Sequence, residues 1–151
     1  MPSPVIVEGG TELLDDIKPL WEELNRHHAN ISSHFSDYFK NFTFENRKAS
    51  IEAKAHRGTV RIFFAKVDGL IAGQCVVSLM PELLGEIDSI FVAEEFRDQK
   101  IGDSLMQVAL NWLDSSGAKS KTVVVVHGNE SANTFYARYG FMPRSNRLSQ
   151  L

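Results

Sequence analysis

The residues with the most chemical content lie between Gly85 and Ser104, in the stretch GEIDSIFVAEEFRDQKIGDS. A strand pattern (Ile87, Ile90, Val92) passes through a charged turn into Arg97-Asp98-Gln99-Lys100-Ile101-Gly102-Asp103-Ser104. Beyond it, Ile101, Leu105, Val108 and Trp112 fall on one face of an amphipathic helix. The first turn of a helix has N–H groups without partners of their own, and a strand feeding the helix through a turn leaves them pointing at one spot. Those donors and the helix dipole favour an anion, and a pyrophosphate fits well.

Elements must position this segment, and the rest of the chain supplies them. Val5-Ile6-Val7, ending at Gly9-Gly10, predicts a first strand. Leu13, Ile17, Leu20, Trp21 and Leu24 predict a helix, with Pro19 tolerable if the main helix starts near Asp16. A second helix is expected from Phe35 to about Ala55, although Phe39, Phe42 and Phe44 fit helical spacing poorly. Thr59 to Leu79 reads as a β-hairpin around Asp68-Gly69. After the helix that follows Val92, stopped by Gly117, the β-branched run Thr122 to Val126 predicts a strand buried on both faces. A last helix is expected from Asn129, its cap, to Tyr139, closed by Gly140, with a final strand opening at Phe141. The strands flanking the long helix should be parallel neighbours, joined by a helical crossover. The rest can be antiparallel, which gives a mixed α/β sheet with helices on both faces.

Composition sets the outer bounds. A chain of 151 residues, 43% hydrophobic and 23% charged, is expected to form one soluble domain over residues 1–151. No apolar run is long enough for a membrane span, and MPSPVIVEGG lacks the marks of a secretory signal. The single cysteine, Cys75, cannot form an internal disulfide, which suits the cytoplasm. Net charge of −3 with scattered basic residues argues against nucleic acid as a partner.

Two spaced motifs resemble the GNAT superfamily, the Gcn5-related N-acetyltransferases. The family's cofactor signature is Arg or Gln, two residues, Gly, one residue, then Gly or Ala; Gln99 to Ser104 matches it with Ser in the last small position. A second marker, Asn-x-x-Ala followed by Tyr and then Gly-Phe, is present as Asn129, Ala132, Tyr136, Gly140 and Phe141. By element order the resemblance covers essentially the whole chain. Members commonly carry Gly where this chain has Asp98 and Lys100, which eases approach of the backbone to phosphate. Here Asp98 brings a negative charge beside the anion seat and Lys100 a compensating positive one.

The resemblance implies a central mixed, mostly antiparallel sheet with a splayed parallel strand pair, and acetyl-CoA as cosubstrate. Backbone N–H groups from Arg97 to Ser104 would cradle the pyrophosphate. The edge at Ile90, Phe91 and Val92 would pair with the pantetheine arm as an added strand does. Asn129 would hold that arm, and Tyr136 would face the sulfur. Acetyl transfer to an amine then needs a group that removes a proton. Glu86 is the first candidate, with Asp88 on the same strand face by two-residue alternation and His127 at the end of the neighbouring strand. The oxyanion needs no side chain if a strand N–H near Ile90 faces it.

Other residues have plainer explanations. His27, His28 and His34 match no zinc spacing and no cysteine accompanies them, so no metal is expected; they lie where the family builds its acceptor wall. Cys75 reads as a small core residue and Glu94-Glu95 as a solvated turn. The expected activity is direct acetyl transfer from acetyl-CoA to a primary amine, on a small molecule or a peptide, in a ternary complex. A catalytically silent acyl-CoA-binding module of the same fold is the alternative, and an interaction protein keeping only the fold is a third. Polyamine, amino-acid derivative, antibiotic amine and protein N-terminus stay open as acceptors. Homodimerisation is common in the family, and no residue here establishes it.

Overall fold

The computed structural model describes residues 3–151; Met1 and Pro2, the start of the segment read above as lacking a signal, lie outside it. Five strands form one sheet in chain order: β1 (Val5–Gly9), β2 (Thr59–Val67), β3 (Leu70–Met80), β4 (Leu84–Val92) and β5 (Ser120–Val123). The first four pair antiparallel, and β4 pairs with β5 in parallel, as a helical crossover requires. Asp68 and Gly69 turn the β2–β3 hairpin, both with positive φ (50° and 78°), as the two-residue signal demands.

Two apolar layers cover the sheet. On one face Leu14, Ile17 and Trp21 of α1 (Leu14–Ile31), with Phe44 and Ile51 of α3 (Phe44–Arg57), pack on Val60, Ile62, Phe64 and Val76. On the other, Ile101, Leu105, Met106, Ala109 and Leu113 of α4 (Ile101–Ser115) pack on Phe63, Ala65, Val77 and Ile87. Helices on both faces of a mixed sheet are therefore observed. No helix among the described residues is long and apolar enough to cross a membrane.

Five expectations need correction. The helix expected from Phe35 to Ala55 is two, α2 (Ser36–Asn41) and α3, broken at Phe42 and Thr43. That break explains the poor helical spacing of the phenylalanines. Thr43 starts α3 with a capping box: its Oγ1 accepts from the Asn46 N–H at 3.1 Å, and its own N–H donates to Asn46 Oδ1 at 3.0 Å. Helix α1 begins at Leu14, ahead of Asp16, with Pro19 inside it. Proline denies the Asp15 carbonyl its helical donor, and Asp15 lies on the exposed side of the helix. Strand β5 stops at Val123 and none of its residues is fully buried; Val124 is 78% exposed. β-branching reports extended backbone there, not burial, because β5 is the edge of the sheet.

The last helix is shorter than its apolar stripe: a 3-10 turn (Glu130–Ala132) and α5 (Asn133–Ala137), with Gly140 at φ 87° just beyond. No strand opens at Phe141. Residues 141–151 have no regular structure, in keeping with a sequence, FMPRSNRLSQL, that lacks period-two alternation. Phe141 instead tucks back, its N–H donating to the Tyr136 carbonyl at 3.2 Å.

Strand β4 carries one irregularity. Its register with β3 runs Val76↔Ser89 and then Val77↔Ile87, skipping Asp88. A bulge at Asp88 shifts the alternation by one residue. Hence Ile87, Ile90 and Val92 all face α4, although 87 and 90 differ by an odd number. After β4 the chain reaches α4 through Asp98 and Lys100, both left-handed (φ 65° and 61°). Those are the two positions where the related family commonly has glycine.

Removing the Thr43 hydroxyl (Thr43→Ala) should lower stability by about 1 kcal/mol in denaturant unfolding; an unchanged midpoint would show that the box is not formed. Lys100→Gly relieves a left-handed side chain at some cost in chain entropy, so stability should hold or rise by up to about 1 kcal/mol. A clear loss would mean that the Lys100 side chain holds the turn.

Candidate active site at the open edge of strand β4

The parallel ladder between β4 and β5 runs only from Leu84↔Ser120 to Ile87↔Val123. From Asp88 to Val92, β4 keeps β3 on one side and has no strand on the other. The splayed pair follows from two local causes, the bulge that twists β4 and the early end of β5. An unpaired strand edge presents N–H and C=O groups to whatever lies alongside.

This edge leads into the turn before α4. The N–H groups from Asp98 to Asp103 have no backbone acceptor among the described residues. Their neighbours on either side are already used: the Arg97 N–H donates to Glu94 O at 3.2 Å and the Ser104 N–H to Lys100 O at 3.1 Å. Left-handed residues among others turn successive N–H groups toward one concavity, an anion-binding nest at a helix N-terminus. Arg97 points elsewhere, its Nε donating to Val92 O at 3.2 Å and its guanidinium over the Phe91 ring. The Asp103 carboxylate is taken by the Tyr139 hydroxyl and, at 3.2 Å, by Arg138. Gly102 lies close to Phe135; a Cβ there would meet the ring at 3.4 Å.

Glu86 and Asp88 do share a face, the one under α3. Lys54 bridges them: its Nζ lies 3.1 Å from Glu86 Oε1, against Asp88 Oδ1, and 3.5 Å from Ser78 Oγ. Burial opposes the Lys54 charge, but the bonds to Asp88 and Glu86 outweigh it, so its pKa is raised and the ammonium persists. The Asp88 side chain is 2% exposed. Arg47, also from α3, donates from Nη2 to the Asp88 carbonyl at 2.8 Å, the group that the bulge leaves off the β3 ladder. The Ser89 hydroxyl donates to Gln74 Oε1 at 3.2 Å, so Asp88 and Ser89 both project toward α3, as a bulge allows. Sequence reasoning missed Arg47 and Lys54, whose helix carried no distinctive spacing. Gln74 was detectable, as an amide inside the apolar run from Ile71 to Leu79.

Tyr136, on α5, packs against Phe135 and Phe141 with ring centroids 5.4 Å and 6.3 Å away. Burial, with the Cys75 sulfur nearby, pushes its phenol up to about 12. Cys75 is fully buried and its thiol is pushed up by burial and by Asp88, which keeps it protonated and inert. His127 lies four residues past the end of β5 and is 84% exposed, its Nδ1 3.1 Å from Glu130 Oε1. Asn129 makes no side-chain cap; its Oδ1 lies 3.3 Å from His27 Nε2, tying α1 to the loop before α5. His28, one residue on, is driven down to about 4 by burial and by His27, so it is neutral at pH 7. No cluster of three His, Cys, Asp or Glu side chains able to hold a metal occurs among the described residues.

Comparison with known proteins places this geometry. The chain superposes on a candidate acetyl transferase of Pyrococcus furiosus with TM-score 0.75 at 21% identity, covering 98% of this chain and 99% of that one. It superposes on the PaiA N-acetyltransferase of Thermoplasma acidophilum, in complex with coenzyme A, with TM-score 0.75 at 18% identity over 97% and 94% of the two chains. A GCN5-related N-acetyltransferase of Ralstonia eutropha gives TM-score 0.74 at 14% identity over 98% of each. At such identities these likenesses establish the fold alone. No curated protein matches the sequence significantly. The model of the acetyltransferase (GNAT) family matches residues 19–141, most of the chain, and the protein therefore belongs to that family.

Proposed function

We propose that the protein transfers an acetyl group from acetyl-CoA to a primary amine by direct attack in a ternary complex. The observation that carries this reading is the unpaired edge of β4 from Asp88 to Val92, continuous with the unpartnered N–H groups from Asp98 to Asp103. An extended amide-bearing arm ending in a diphosphate has the shape and the acceptors that these two features lack. The PaiA relative's coenzyme A complex supports the same use of the fold.

When bound, acetyl-CoA supplies an activated acetyl group and a thiolate leaving group. The chain's residues do the rest. The Asp98–Asp103 N–H groups, with the Lys100 ammonium near them, hold the diphosphate. The outward amides of Ile90 and Val92 bond the pantetheine arm, with Phe91 between them turned to β3, and a strand N–H there stabilises the oxyanion. A lysine-like amine, pKa about 10.4, costs around 4–5 kcal/mol to deprotonate at neutral pH. Glu86 receives that proton, its Oε1 lying 3.1 Å from the Lys54 Nζ. Tyr136, at about 12, lies some 3.5 units above a thiol of about 8.5, so giving its proton away is uphill by about 5 kcal/mol. It acts as a hydrogen-bond donor to the developing thiolate and keeps its proton.

One observation favours the silent binding module: Lys54 already occupies both carboxylates that an acceptor amine would need. Turnover separates the two readings. Thiol release from acetyl-CoA across a panel of amines is expected well above hydrolysis for at least one of them. Heat of acetyl-CoA binding with no amine-dependent release would establish the silent module instead.

Tyr136→Phe should slow turnover about 10–100-fold, the worth of one hydrogen bond to a charge, while the calorimetric affinity for acetyl-CoA stays within about twofold. Undiminished turnover would remove Tyr136 from the chemistry. Its raised pKa also predicts that phenol absorbance assigned by this variant stays flat from pH 8 to about 10.5; ionisation near 10 would contradict its burial.

A further inference from the structure

Under α3 the sheet carries polar groups that acetyl transfer as described does not use in full. Three buried side-chain atoms have no hydrogen-bond partner among the described residues: Arg47 Nε, Gln74 Nε2 and Asp88 Oδ2. They belong to one place. Arg47 Nη2 holds the Asp88 carbonyl at 2.8 Å, and Ser89, next in the chain, bonds the other end of the Gln74 amide at 3.2 Å. Gln74 is wholly buried. Folded proteins satisfy nearly all such groups, so three gathered at one bulge match a group that brings what they lack. What is missing is specific: a hydrogen-bond acceptor for two N–H groups and a donor for one carboxylate oxygen.

Charge narrows the occupant further. Arg47 and Lys54 balance Glu86 and Asp88, so the site has no net pull on a polycation. A group carrying donor and acceptor side by side complements it. The Lys54 Nζ already marks where an ammonium sits, on Glu86 and Asp88 together. Its flexible stem lets it withdraw, which opens atoms that are closed to solvent in the unliganded chain.

We propose that the acceptor is an amine bearing an oxygen on the adjoining carbon, an α-amino acid or its amide, seated by Asp88, Arg47 and Gln74. The amine displaces the Lys54 Nζ from Asp88 Oδ1 and, sitting across the carboxylate, donates to Oδ2 as well. The neighbouring carbonyl or carboxylate oxygen accepts from Arg47 Nε and Gln74 Nε2. The ammonium loses one proton to Glu86, which passes it to solvent; the N–C bond then forms as the C–S bond breaks, and the second N–H proton goes to the departing coenzyme A thiolate, leaving a neutral amide and the free thiol. This inference rests on the transferase reading above and adds the identity of its acceptor.

Thiol release with saturating acetyl-CoA tests it, using alanine, alaninamide, sec-butylamine and putrescine. Sec-butylamine keeps the branched amine of alaninamide, is one heavy atom smaller and lacks the oxygen; alanine and alaninamide distinguish a free carboxylate from an amide. The better of alanine and alaninamide should exceed sec-butylamine and putrescine in kcat/KM by about tenfold or more. Gln74→Met and Arg47→Met should each shrink that preference to within about threefold, through KM of the oxygen-bearing amine, with acetyl-CoA binding retained. A variant that gives no heat with acetyl-CoA is set aside, and the wild-type ranking still decides. Sec-butylamine or putrescine equal to the amino-acid amines, or a preference untouched in both variants, overturns this proposal while leaving the transferase reading intact. Failure of every amine with acetyl-CoA binding intact overturns both.

Discussion

The bulge at Asp88, its carbonyl held by Arg47 from α3, is where strand β4 changes character. Before it, β4 is an inner strand bonded to β3 and β5; after it, no strand pairs with the second edge, where Arg97 Nε takes the Val92 carbonyl. The same extra residue puts Ile90 and Val92 on the α4 side with Ile87, so the bare segment stays anchored in the core while its backbone faces outward. Were β5 to continue beside β4, its own amides would fill the edge and leave no room for another extended chain. The turn into α4 completes the seat, since the edge runs directly into the left-handed residues that gather the helix's free N–H groups.

The two faces of the sheet divide the labour around that opening. On the α4 side the packing is apolar, with Tyr136 half-sunk among Phe135, Phe141 and the core, and its phenol is kept neutral by burial. On the α3 side the surroundings are polar, and Lys54 and Arg47 hold Glu86 and Asp88 in a balanced set of charges. The proposed transfer uses both faces, with a neutral donor toward the leaving sulfur and carboxylates toward the entering amine. A buried charge pair adds little net stability over an apolar replacement, so its retention beneath the open edge suits a role in chemistry better than one in folding.

Much of this was readable from the chain because local signals and tertiary demands agree. Asp68-Gly69 and the amphipathic α4 each have one physical meaning, and each appears where expected. The bulge was half visible: Ile87 and Ile90 cannot share a face in a regular strand, and their common apolar character was its trace. The break at Thr43 was likewise written in the misfit of Phe39, Phe42 and Phe44. What escaped was tertiary. The run Thr122 to Val126 specifies extended backbone but not whether a layer will cover it, and Val124 turned out exposed. Arg47 and Lys54 meet Asp88 across some forty and thirty-odd residues, which no spacing within α3 announces. Asn129 found His27 on α1 rather than the helix it precedes, a partner chosen by packing alone.

The central claim is that the bare edge of β4 and the turn into α4 together form the coenzyme's seat. Backbone amide hydrogen exchange with and without coenzyme A addresses it residue by residue. Slowed exchange confined to the amides of Ile90, Val92 and Asp98 to Asp103, with β1 and β2 unchanged, is the predicted result. Saturating ligand that leaves both segments exchanging as before, or that protects a different surface, would contradict it.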